Sequence, residues 1–156
     1  MTERSVAHGG FRIERTFDAP LPRVFRAFAD PKEKVRWSCH DDWRMVEDDI
    51  RVGGWEVSTG GDPGGPTYTF RGLYQDIVPD ERMVISYTMD KDDVRISVST
   101  MTLEFTPEGA GTKLTFNEYG AFLDGLDSPA QREAGSGVGL DNLAALLARE
   151  AEGAAA

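Results

Sequence analysis

Between residues 43 and 119 the chain reads as one strand after another, and a single long amphipathic stretch follows at 128–150. That imbalance constrains the fold more than any motif does. A sheet hides one apolar face against another layer, and only the final stretch is long enough to cover so many strands. Trp55, Val57 and Thr59 alternate against Glu56 and Ser58, and Tyr68, Phe70, Gly72 and Tyr74 share a face. Met83, Ile85, Tyr87 and Met89 line one side of the next strand, and Leu114, Phe116 and Glu118 one side of the last. Between them, Val94, Ile96 and Val98 alternate in one phase and Met101, Leu103 and Phe105 in the other, which predicts a bulge near Ser99 and Thr100. Tight turns at Pro79-Asp80 and Pro107-Glu108-Gly109 make the run an antiparallel meander.

The covering helix has a readable start. Ser128 caps, Pro129 suits the first helical position, and Gln131 completes an S-x-x-Q capping box. Leu140, Leu143, Ala144 and Leu147 then fall at i, i+3, i+4 and i+7, one buried face. Between cap and stripe stand Gly135, Gly137 and Gly139, each costing about 1 kcal/mol relative to Ala in a helix interior. Two readings follow: a helix kept thin where something bulky, sheet side chains or a ligand, presses on it, or a first half that is frayed or kinked.

Ahead of the meander, Phe11, Ile13 and Phe17 alternate as a half-buried strand over 11–17. Leu21, Val24, Phe25 and Phe28 have helical spacing over 21–29, Asp30-Pro31 ends that helix, and a second short one is predicted at 32–37. Residues 1–10 read as a disordered arm, 11–151 as one domain and 152–156 as a frayed tail. A net charge of −10 argues against nucleic acid and anionic membrane surfaces, which call for a basic footprint. One cysteine, Cys39, excludes an internal disulfide and fits a reducing cytoplasm.

The ordered segments FDAPLPRVFRAFADPKEKVRW, VGGWEV, FRGLYQDIVPDERMVISYTM, TMTLEFTPEGAGTKLTFNEYGAFLDG and REAGSGVGLDNLAALL span nearly the whole chain. Together they resemble the START-like (helix-grip, SRPBCC) superfamily, in the branch of the C-terminal domain of activators of Hsp90 ATPase. The resemblance implies an α+β helix-grip fold: a curved antiparallel sheet of six to seven strands wrapped on a long C-terminal helix, with two short helices after strand 1. It also implies a cavity between sheet and helix, open at one end. Relatives bind hydrophobic small molecules, act as cyclases or related enzymes, or stimulate a chaperone; a stress-response role is part of that picture. In many members a Gly-Trp pair precedes the leucine stripe, whereas here Ser136 follows Gly135, leaving more room inside.

Three functions remain open on this reading. The first is binding of a hydrophobic or aromatic small molecule, by a monomer or homodimer, with Trp55, Tyr68, Phe70, Tyr87, Phe122, Ser136 and Leu140 as the expected lining. Each of these is also, more simply, a core residue. The second is a chaperone-interaction protein, although the chaperone activators carry a further N-terminal domain and ten residues precede Phe11 here. The third is a cyclase- or hydrolase-type enzyme, for which Glu118 is the one internal acid or base in view. Glu118 continues the inward pleat of Leu114 and Phe116, so it is expected to meet a buried partner, anchor a ligand hydroxyl or amine, or swing to water at Gly120. Cys39-His40-Asp41-Asp42 lacks the spacing of a metal site, so neither metal nor cofactor is expected.

Overall fold

The computed structural model describes residues 3–39 and 42–155. Seven strands form one antiparallel sheet in the order β1-β7-β6-β5-β4-β3-β2. They are β1 (Val6–Phe17), β2 (Arg44–Asp48), β3 (Trp55–Gly60), β4 (Tyr68–Val78), β5 (Arg82–Lys91), β6 (Val94–Glu108) and β7 (Gly111–Leu123). Helices α1 (Leu21–Ala29) and α2 (Pro31–Ser38) follow β1, and α3 (Pro129–Ala155) closes the chain. This is the α+β helix-grip architecture expected from the sequence, with the meander running unbroken from β2 to β7. The first strand then joins the last, so β1 and β2 become the two edges.

The core lies between the sheet and the three helices. Val24, Phe25, Ala27 and Phe28 of α1 are buried. Phe25 and Phe28 meet Phe105 of β6 edge-on, at centroid distances of 5.1 and 5.4 Å, and Phe28 meets Trp37 of α2 at 4.8 Å. Such pairs add about 0.5–1.5 kcal/mol beyond the area they bury. Pro31 sits in the first turn of α2 with Asp30 capping it, its carboxylate accepting from the Lys32 amide at 2.9 Å. Polar contacts fix the other side of the helix layer: Arg23 and Arg36 both reach Glu33 of α2 and Glu150 of α3.

Several expectations move in register. The N-terminal strand begins at Val6, not Phe11; residues 6–10, expected as part of an arm, pair with Tyr119–Leu123 of β7. The ladder is complete there because backbone pairing needs no apolar side chains, only the close approach that Gly9 and Gly10 permit: a Cβ at Gly10 would lie 2.2 Å from the Glu118 carbonyl. Helix α3 continues to Ala155, past the expected end at 150. The bulge in β6 lies at Ile96, opposite Met89 and Asp90, three residues before Ser99. Both Ile96 and Ser97 are buried as a result.

Two parities also change. In β3 the inward residues are Glu56 and Ser58, because they pair across the ladder with Gly72 and Phe70, which share the inner face. Trp55 therefore points outward and is 46% exposed. On α3 the buried residues are Leu140, Leu143, Leu146 and Leu147, while Ala144 is exposed. The stripe is set by where the leucines are, and small Ala144 gives up its place on it.

Candidate functional site

Between the inner face of the sheet and the first half of α3 lies a cavity of about 410 Å³. Its walls are mainly apolar and aromatic: Phe28, Trp37, Trp43, Phe70, Tyr87 and Phe116, with Ile85, Met89, Met101 and Leu103 between them. Phe70 and Tyr87 stack at 4.5 Å between centroids. Trp43 packs closely on Gly60, where a Cβ would collide with the indole at 2.0 Å. On the helix side the wall is Gly135, Ser136, Gly139 and Leu140. Among the described residues nothing lies within 4 Å of a Cβ built at Gly135, while at Gly137 and Gly139 a Cβ would make ordinary contact with Arg15 at 3.6 Å and Trp37 at 3.7 Å; the helix is unbroken throughout. The frayed or kinked reading is corrected by the unbroken helix, and Gly135 and Gly139 border the cavity.

Two buried polar groups interrupt the apolar wall. At the first, Glu118 is 3% exposed and accepts a 2.7 Å hydrogen bond at Oε2 from the Tyr87 hydroxyl. Arg132, on the first turn of α3, donates in turn to the Tyr87 oxygen at 2.6 Å, to Ser97 Oγ at 3.1 Å and to the Asp127 carboxylate. The position of Arg132 follows from the helix start, where Ser128 Oγ accepts from the Gln131 amide at 3.2 Å. Gln131 itself turns to the cavity, so only half of the expected capping box forms. Glu118 Oε1 has no hydrogen-bond partner among the described residues. Burial pushes the Glu118 carboxyl up to about 7, against the opposing pull of the Tyr87 hydrogen bond and the Arg132 charge. Burial and the facing carboxylate push the Tyr87 phenol well above its ordinary range.

The second polar group joins α2 to the sheet. Lys34, 7% exposed, projects from α2 into contact with the Glu56 carboxylate, with its Nζ donating to the Tyr74 oxygen at 2.8 Å. Asp48 Oδ2 stands 3.6 Å from the same ammonium. The Tyr74 hydroxyl is 2.6 Å from Asp48 Oδ1 and 3.0 Å from Glu56 Oε1, and its one proton serves one of them at a time. Burial lowers Lys34 to about 8, and the Asp48 charge opposes that fall. The Glu56 carboxylate contacts the same ammonium.

Of the residues predicted to line the site, Phe70, Tyr87, Glu118, Ser136 and Leu140 come together on this cavity. Trp55 does not, for the parity reason given above. Tyr68 is half-buried at the start of β4 and Phe122 is buried in β7, and neither is part of the wall. Lys34, Glu56 and Arg132 were not foreseen. Lys34 sits three residues before Trp37, an i,i+3 pair that marks it as sharing the apolar face of α2. Arg132 carries no such sign, since any arginine in a first helical turn reads as solvated. Cys39 is partly buried, His40 and Asp41 lie outside the described residues, and no group of three metal-ligating side chains occurs among the described residues. A wider, more open hollow of about 560 Å³ between β1 and α3 is rimmed by Arg12, Glu14, Arg15 and Glu133; its charged, exposed rim lacks the buried groups of the inner cavity.

Residues 18–148 match the family described as activator of Hsp90 ATPase homolog 1-like protein. The Mll3558 protein of Rhizobium loti is similar in structure, with 46% identity and a TM-score of 0.84 over 90% of this chain and 98% of that one. A protein of Rhizobium leguminosarum shares 39% identity with a TM-score of 0.87, over 95% of this chain and 99% of its own. Protein CV1439 of Chromobacterium violaceum is more distant, at 28% identity and a TM-score of 0.72 over 88% and 96% of the two chains. No curated protein shows significant similarity to the chain. The chain belongs to the activator of Hsp90 ATPase homolog 1-like family.

Proposed function

We propose that this member of the family binds a hydrophobic or aromatic small molecule in the cavity between the sheet and α3. One observation carries the reading: an aromatic-walled cavity of about 410 Å³ has a buried carboxylate in its wall with an oxygen that has no hydrogen-bond partner among the described residues. Leaving such an oxygen unpaired costs about 1–3 kcal/mol or more. A ligand that both fills the apolar space and hydrogen-bonds Glu118 removes that cost and gains contact with the aromatic walls. Lys34 and Glu56, paired with each other, lie on the same wall. Membership of a fold that commonly holds ligands in this place supports the reading.

The direct test is Ser136→Trp. Ser136 borders the cavity on α3, and an indole there occupies the space a ligand needs. Native mass spectrometry of freshly purified protein, with thermal shifts against lipids and polycyclic aromatics, compares the variant with the parent. The expected result is one ligand per parent chain and none in a variant that stays folded by circular dichroism. Equal binding by both proteins contradicts the cavity reading. An unfolded variant does so as well, since it shows the region to be close-packed already.

A further inference from the structure

We infer that the cavity selects an apolar amine: a flat hydrophobic body whose single ammonium docks on Glu118. The inference rests on the cavity reading above and adds the charge of the ligand to it. The buried charges at the two polar groups do not balance. Arg132 stands with Asp127 and Glu118, and Lys34 with Glu56 and Asp48, so each group holds one cation against two carboxylates. Ionised throughout, each carries a net charge of −1. A buried charge without a partner is costly, and a ligand cation balances it where a ligand anion adds to it.

The geometry favours the Glu118 end. Arg132 is committed elsewhere: it donates to Asp127, Ser97 and the Tyr87 oxygen, and only its charge, not a hydrogen bond, acts on Glu118. Glu118 therefore has one oxygen satisfied by a phenol and the other unpaired, in a side chain that is 3% exposed and lines the cavity. At the Lys34 end Asp48 Oδ2 likewise has no hydrogen-bond partner among the described residues, but it stands 3.6 Å from the ammonium and Asp48 is not part of the cavity wall, while Glu56 already contacts Lys34. The aromatic wall adds a second, independent preference. Ring faces attract cations and do not attract anions, by about 0.5–2 kcal/mol where water is excluded.

A neutral hydroxyl also donates to Glu118 Oε1, but more weakly. Hydrogen bonds to charged partners are roughly twice as strong as neutral ones. For a matched pair of ligands that difference corresponds to about tenfold in affinity. Docking an ammonium also requires Glu118 as the anion, so its proton leaves for solvent when the complex forms at slightly acid pH. The charged and titratable groups facing Glu118 are Tyr87 from β5, Arg132 from α3 and Asp127 before α3. Arg132 is held even more firmly charged by its acidic neighbours, so Glu118 supplies the linked proton.

The experiment uses the full chain and four probes of one shape: 2-naphthylmethylamine, 2-naphthalenemethanol, 2-methylnaphthalene and 2-naphthoic acid, titrated calorimetrically at pH 7.5. The expected order is amine first, by about tenfold over the alcohol, with the acid weakest. Repeating the amine titration at pH 6 in buffers of different ionisation enthalpy is expected to show weaker binding and release of close to one proton. In Glu118→Gln the ratio of amine to alcohol affinity falls to near one and the proton release disappears. Binding of all four probes with no amine preference, or preference for the acid, overturns this inference and leaves the cavity reading standing. Binding of none of them overturns the cavity reading itself. An amine preference that survives in Glu118→Gln assigns the cation to another site and also overturns the inference.

Discussion

Glu118 combines two effects that a single substitution separates. Its carboxyl is raised from the ordinary value to about 7, so the folded protein holds a proton that the unfolded chain releases near pH 4.5. Stability from this group is therefore complete below pH 4.5 and is lost as pH rises through 7, by about 3 kcal/mol in all. Glu118→Gln keeps the hydrogen-bonding shape without the charge. Urea titrations from pH 4.5 to 8 should show the variant gaining on the parent as pH rises, and a constant difference would mean that Glu118 is ionised throughout. Lys34 presents the opposite case, a cation between two buried carboxylates. Lys34→Met leaves Glu56 and Asp48 facing each other with only the Tyr74 hydroxyl to share, at a cost of about 3–5 kcal/mol. Adding Glu56→Gln should recover part of it, and a single-variant loss below about 1 kcal/mol by urea denaturation would contradict the buried pairing.

Among the elements, α3 carries the most and was the most legible in part. Its cap, its proline and its leucines were readable because each has a local physical signature. Its inner face was readable only to within one position, since Ala144 and Leu146 both fit a helical period and packing chose the larger side chain. Leu143 is fully buried, so Leu143→Ala should cost about 2–5 kcal/mol, whereas Ala144→Lys should change stability by no more than about 0.5 kcal/mol. A reversed order in thermal or urea unfolding would restore the stripe read from periodicity alone. Strand β3 shows why the candidate site was harder to read than the fold. Trp55, Val57 and Thr59 make a plausible buried face, and Glu56 and Ser58 a plausible wet one. The true orientation depends on Gly72 and Phe70 across the ladder and on Lys34 arriving from a helix some twenty residues earlier. A buried acid is invisible in a local pattern when its partner comes from another element. Glu118 escaped that fate because Leu114 and Phe116 of its own strand fixed the phase. Residues 6–10 were missed for a related reason, since a strand that pairs through its backbone at a sheet edge needs no apolar alternation.

For the molecule as a whole, sheet and helices close a core at one end and leave space at the other. The closed end is Phe25, Phe28, Phe105 and Leu143; the open one is walled by Tyr87, Glu118, Arg132 and the glycine-rich first half of α3. The central claim is that this inner space, and not the wider hollow beside β1, receives an apolar ligand. Methionine methyl groups report on it directly, because Met89 and Met101 line the cavity while Met45 and Met83 do not. Methyl-labelled protein is titrated with 2-methoxynaphthalene and followed by carbon–proton correlation spectra. The account predicts saturable shifts of the Met89 and Met101 methyls with those of Met45 and Met83 nearly still. No saturable shift at Met89 or Met101, or binding that perturbs only Ile13, Ala130 and Ala134 around the outer hollow, would contradict it.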